Sequence, residues 1–161
     1  MRQFSEQVTI KTAGRKLYDI TPDVLQLTKK AAIQTGLLTL YIQHTSASLL
    51  INENYDADVL VDMEAFFNRL VPDGDKLFIH TVEGPDDMPA HVRSALTQTS
   101  LSIPIMQGRP ALGQWQGILD VYKRQVGKRQ LDYYCSWVLP FAWYFFVLIA
   151  NNLVNSAAVT G

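Results

Sequence analysis

The sequence predicts an α+β domain built on a mainly antiparallel sheet with two or three helices. Runs rich in β-branched and apolar residues alternate with amphipathic stretches of unequal length. Turn residues separate them at Ala13-Gly14, Val71-Pro72-Asp73-Gly74 and Gly108-Arg109-Pro110. The chain of 161 residues shows no internal repeat, so one domain is the starting expectation.

Taken in order, residues 3–10 favour a strand by their β-branched content, and residues 16–20 return as the second arm of a hairpin. Thr21-Pro22-Asp23 reads as a helix start, with Thr21 as the cap, and Gly36 as its stop. Residues 37–42 form a continuous apolar run, predicted to be a strand buried on both sides and leading to His44. A second helix begins at Asp56, because Val59, Leu60, Met63, Phe66, Phe67 and Leu70 recur at helical spacing. A short strand over residues 76–81 then delivers His80. The third helix starts at Asp87, with Pro89 in its first turn. Residues 100–105 alternate as a half-exposed strand, and residues 112–119 form a strand returning from it.

Charge excludes one class of partner. Fourteen basic residues face fifteen acidic ones, so the chain carries no electrostatic footprint for nucleic acid. The single cysteine, Cys135, excludes an internal disulfide framework and fits a reducing compartment. The N-terminal residues have no apolar core of the kind a secretory signal needs, and the expected location is cytoplasmic.

All three histidines, His44, His80 and His91, and most of the clustered acids fall between residues 44 and 91. Three imidazoles suffice as a first shell for zinc with an open fourth position. Their spacing matches no compact metal motif, and the alternative is three unrelated histidines held by hydrogen bonds. Asn52, Glu53, Asn54 and Asp56 precede a helix, where they either cap it or, for Asn52 and Glu53, face a ligand. Ser46 either joins that ligand or makes a turn. Three carboxylates within residues 83–87 repel one another unless a cation or arginine offsets them. Gln114-Trp115-Gln116 between two glycines offers an aromatic face and amide donors, or else places a core tryptophan at a bulge.

Four segments together carry a family resemblance. They are His44-Thr-Ser-Ala-Ser-Leu-x-Ile-Asn-Glu-Asn-x-Asp56, His80-x-x-Glu-Gly-x-Asp-Asp-Met-Pro-Ala-His91, Ser100-Leu-x-Ile-Pro-Ile105 and Leu112-Gly-x-Trp-Gln-Gly-Ile118. Over residues 1–119 the chain resembles the YjbQ-like family, whose members are often labelled secondary thiamine-phosphate synthase enzymes. The resemblance implies a compact α+β subunit, a homotrimer, and a pocket at the subunit interface lined by these motifs. Gln114 stands where the family usually has Thr, and after Ile118 the sequence departs from the family's pattern.

That departure divides the chain. Residues 1–119 carry 10 Lys/Arg and 13 Asp/Glu, whereas residues 133–161 carry no charge. Residues 133–150 approach the ~20 apolar residues of a membrane helix, with Lys123, Arg124, Lys128 and Arg129 on the side of the domain. The preferred reading is a foreign or frame-shifted tail over residues 120–161, joined to a C-terminally truncated family domain. It would stand outside the compact domain as an apolar helix. A membrane anchor ranks second and an extra core helix third.

The label implies a transferase that joins a pyrimidine-methyl diphosphate to a thiazole phosphate. His44, His80 and His91 would then supply positive charge, by themselves or through a divalent metal, Zn or Mg. Asp56 and Asp87 would orient them, and Asn52, Glu53, Ser46, Gln114, Trp115 and Gln116 would hold a small phosphorylated metabolite. The competing expectations are a non-catalytic metabolite- or metal-binding protein and a metal-assisted phosphate hydrolase.

Overall fold

The computed structural model of the chain describes residues 3–12, 14–121 and 127–136. The elements run β1 (Gln3–Thr12), β2 (Leu17–Asp19), α1 (Thr21–Ala31), β3 (Thr35–Ile42), β4 (Ser48–Glu53) and α2 (Ala57–Leu70). They continue with α3 (Asp87–Leu96), β5 (Ser100–Met106), β6 (Arg109–Pro110), β7 (Gln116–Val121) and β8 (Gly127–Ser136). The strands form two sheets, a five-stranded one in the order β1-β8-β3-β5-β6 and a three-stranded one in the order β2-β7-β4. Every pairing among these strands is antiparallel. The α+β architecture expected from the sequence is present.

The three-stranded sheet is covered on both faces, fully on one and partly on the other. Successive side chains on a strand point to opposite sides. Leu49 and Ile118 therefore enter the main core with Val24 and Leu27 of α1 and with Leu38, Leu40, Leu101 and Ile103 of the larger sheet. Leu50, Leu119 and Val121 face the other way, against Leu60 and Met63 of α2. Burial of this apolar surface stabilises the fold by roughly 1.5–3 kcal/mol for each fully buried large side chain.

Helix α1 starts one residue earlier in register than the sequence suggested. Ile20 is the N-cap, and Asp19 Oδ1 accepts from the Thr21 amide at 2.9 Å. Thr21 is freed for a different task, since its Oγ1 accepts from the Ile118 amide at 2.8 Å and fixes α1 to β7. The helix ends at Ala32, which takes the left-handed conformation at φ 52°. Gly36 is not the stop and lies inside β3. Helix α2 follows its prediction, with Asp56 Oδ1 accepting from the Asp58 amide. Helix α3 also begins at Asp87 as read.

Several strand expectations fail on partnership. β1 pairs with β8 and β2 with β7, so the two are not a hairpin. β3 alternates between buried and partly exposed residues, and Tyr41 is 43% exposed, so only one face is fully covered. β4 covers Ser48–Glu53, where the sequence suggested no strand and only capping or ligand-facing roles for Asn52 and Glu53. The returning strand over residues 112–119 is instead a turn followed by β7, which lies in the other sheet from β5. Residues 76–81 form no strand. They lie in a loop closed by the Gly74 amide donating to the Pro85 carbonyl at 2.8 Å, with Leu77 and Ile79 78% and 98% exposed. Gly74, at φ 71°, takes the left-handed conformation this closure needs.

The fold also crosses the boundary expected at residue 119. β7 runs to Val121, and β8 lies between β1 and β3 with Tyr133 in register with Glu6 and Leu40. Residues 127–136 are therefore part of the larger sheet and do not stand apart from it. The rest of the expected apolar helix, residues 137–150, lies outside the described residues. No helix among the described residues is long and apolar enough to cross a membrane.

Candidate metal centre

Helix α3 sets the frame of the site. Ser94 Oγ donates to the Ala47 carbonyl at 3.0 Å, Thr97 Oγ1 meets Ser48 Oγ at 2.5 Å, and Arg93 Nη2 donates to the Val71 carbonyl at 2.7 Å. These bonds fix α3 against β4 and against the end of α2. Burial, and then the positive charge of Arg15, push the Arg93 guanidinium below its ordinary pKa, while Asp73 pulls it back up.

Asp87 and His91 are one helical turn apart on α3 and share a face. The loop closed at Gly74 and Pro85 brings His80 to the same place. Asp87 Oδ2 lies 2.9 Å from His80 Nε2 and 3.4 Å from His91 Nε2, and the two imidazole rings meet edge to face at 5.9 Å. The Asp87 side chain is 1% exposed, whereas those of His80 and His91 are 45% and 31% exposed. A buried carboxylate thus forms the floor of a group whose two imidazoles open to solvent. Among the described residues these three alone form a set of at least three metal-capable groups with ligand atoms within 4.8 Å of one another.

The tautomer of His91 follows from its other nitrogen. His91 Nδ1 lies 3.0 Å from the Thr45 carbonyl, which can only accept, so Nδ1 carries a proton. In the neutral ring Nε2 then presents a lone pair to Asp87 Oδ2, an acceptor facing an acceptor. A metal ion held between them would turn that contact into two ligand bonds.

His44, expected as the third imidazole, is outside the group. Its Nδ1 accepts from the Ser46 amide at 3.1 Å, and Ser46 is 1% exposed and forms part of that turn. The His44 segment still contributes, through the Thr45 backbone that fixes His91. Asp87, read as a supporting residue, takes the central position. No side-chain signal marks Thr45, because its contribution is a carbonyl.

The remaining candidates gather elsewhere. Asp56 caps α2, and Asn52 Oδ1 accepts from the Glu53 amide at 2.8 Å. Gln116 Oε1 accepts from the Gly113 amide at 2.8 Å and closes the turn that carries Gln114 and Trp115. Asn54 lies across Gly117, where a Cβ would collide with its side chain, and its Nδ2 donates to Asp19 at 3.2 Å. Trp115 is 55% exposed and is not the core tryptophan that one reading allowed.

A family model described as UPF0047 protein YjbQ-like matches residues 6–131. A UPF0047 protein of Synechocystis is 48% identical over 77% of this chain and 84% of its own length. The YjbQ protein of Escherichia coli O157:H7 is 42% identical over 80% of this chain and 94% of its own. Among solved structures, a YjbQ/UPF0047 protein of Clostridium acetobutylicum aligns at TM-score 0.72 and 30% identity over 80% of this chain and 97% of its own. A hypothetical protein of Aeropyrum pernix aligns at TM-score 0.77 and 26% identity, covering 84% and 99%. The Synechocystis and Escherichia coli relatives carry the UPF0047 designation and no thiamine-phosphate synthase name, which overturns the expected pyrimidine–thiazole transferase activity. Both the family match and the shared fold run past residue 119, and by them the chain belongs to the YjbQ-like UPF0047 family.

Proposed function

We propose that this protein binds a divalent transition metal, zinc by the chemistry of its donors, at His80, Asp87 and His91. The observation that carries the reading is the His91 Nδ1 contact to the Thr45 carbonyl, which leaves Nε2 free as a ligand atom 3.4 Å from Asp87 Oδ2. Metal-ligating histidines usually make such a bond through their other nitrogen. Ligand atoms ~2.1 Å from one ion lie about 3.0–3.4 Å apart in octahedral or tetrahedral geometry. The two contacts to Asp87 Oδ2, 2.9 and 3.4 Å, fit that spacing. Two imidazoles and one carboxylate favour zinc over magnesium, which prefers oxygen donors and retains water.

A three-ligand zinc ion keeps a position for water or an anionic oxygen, and the exposed imidazoles leave that side open. The centre would act as a Lewis acid toward an anionic group of a small phosphorylated metabolite. Titration of metal-stripped full-length protein with zinc and magnesium, followed by heat, tests the binding. We expect one zinc per chain, no comparable magnesium binding, and at least tenfold weaker zinc binding in His80→Ala and His91→Ala. Zinc affinity equal to that of the unsubstituted protein in both variants would refute the assignment.

A second observation favours self-association. Leu77, Ile79 and Val82 are 78%, 98% and 96% exposed on the loop that carries His80. Such a cluster of apolar side chains marks a contact surface, consistent with the homotrimer that the resemblance implies. Light scattering of the full chain should give three times the monomer mass, and a monomer would refute it.

A further inference from the structure

We propose that Tyr55 and Trp115, with Glu53 and Asp56, form a recognition cleft for a small organic cation, a protonated or quaternary amine. This inference is independent of the metal centre. The four residues and Ala57 line an open cleft of about 590 Å³ at the start of α2. Its two aromatic side chains are 80% and 55% exposed, and neither joins a core cluster.

The local structure brings the two segments that carry these rings together. The Trp115 carbonyl accepts from the Asn54 amide at 3.0 Å, which ties the Trp115 turn to the residue preceding Tyr55. Gln116 closes that turn through its side chain. Asn54 packs over Gly117, so the two segments approach more closely than any larger residue at 117 would permit.

Charge selects the ligand. Neither Glu53 nor Asp56 enters an ion pair among the described residues. A helix N-terminus by itself attracts anions, with about half a positive charge. Here Asp56 Oδ1 already accepts from the Asp58 amide, and Asp58 adds a further carboxylate in the first turn. These carboxylates oppose the positive end of the helix. Ring faces carry negative quadrupole potential and attract ammonium groups, most strongly at Trp. No set of converging metal ligands involves these residues among those described, so a bare metal ion is the poorer match. An alkylammonium presents diffuse positive surface to the rings and leaves the carboxylates as its counter-charge.

The test uses the full chain titrated with choline and with its uncharged isostere, 3,3-dimethylbutan-1-ol, and follows the backbone amide signals of Tyr55 and Ala57 by NMR. Choline should bind at least about fivefold more tightly than the alcohol, as a cation–π contact implies. Trp115→Ala should weaken choline binding by about fivefold or more, and Glu53→Gln by a smaller factor. Unchanged circular dichroism would show that both variants fold. Equal binding of choline and the alcohol, no binding of either, or full choline affinity in folded Trp115→Ala would each overturn the proposal.

Discussion

Replacing Asp87 by asparagine changes charge at the candidate centre while keeping its shape. Asp87 is fully buried, and its Oδ2 stands between two imidazole nitrogens at 2.9 and 3.4 Å. Asparagine can still hydrogen-bond His80, but it is a poor metal ligand and contributes no charge. Loss of a group that merely orients a ligand costs about 10–100-fold in metal affinity, so loss of one of three direct ligands should reach the upper end. At zinc ~100 times the dissociation constant, binding stabilises the native state by about 2.7 kcal/mol. For a chain of this size that raises the thermal midpoint by about 5–10 °C. A hundredfold weaker variant at the same zinc concentration retains ~0.4 kcal/mol, a rise of about 1 °C. Thermal scans with and without zinc give this difference, and any effect of the substitution on the metal-free protein cancels. An Asp87→Asn protein that kept the full zinc-dependent rise would refute the reasoning.

Other perturbations test the fold that positions the site. Leu49, with no exposed surface in the main core, should cost about 2–5 kcal/mol on truncation to Ala, measured by urea unfolding. Gly117→Ala should destabilise by ~1–3 kcal/mol because its Cβ collides with Asn54. Adding Asn54→Ala should recover part of that loss, and strict additivity in the same unfolding assay would argue against the contact. Asp56→Ala removes the cap of α2 and should cost about 1 kcal/mol.

The helices were legible because their signals are local. Pro22, the Asp56 cap and the 3.6-residue recurrence of Leu60, Met63 and Phe67 each act within a few residues. Strand partners were not legible in the same way. β1 finds β8 more than a hundred residues away in sequence, and nothing near Gln3 encodes that choice. Residues 76–81 have strand composition, yet the Gly74–Pro85 closure makes them a loop. β4 was hidden by its polar neighbours, since the Ser48–Glu53 strand runs straight into the Asp56 cap.

The candidate centre was half legible. Asp87 and His91 could be read as one helix face, whereas His80 reaches them only through tertiary closure of its loop. His44 looked equivalent to the other two histidines in the sequence, but its ring is engaged by the Ser46 turn. The acceptor that fixes His91 is a backbone carbonyl, which every residue type carries.

The most direct measurement is anomalous diffraction at the zinc edge from crystals of the full-length protein grown with zinc. The account predicts a zinc peak ~2.1 Å from His80 Nε2, Asp87 Oδ2 and His91 Nε2, with His91 Nδ1 still on the Thr45 carbonyl. A zinc-bound crystal with no peak among these three residues would contradict it.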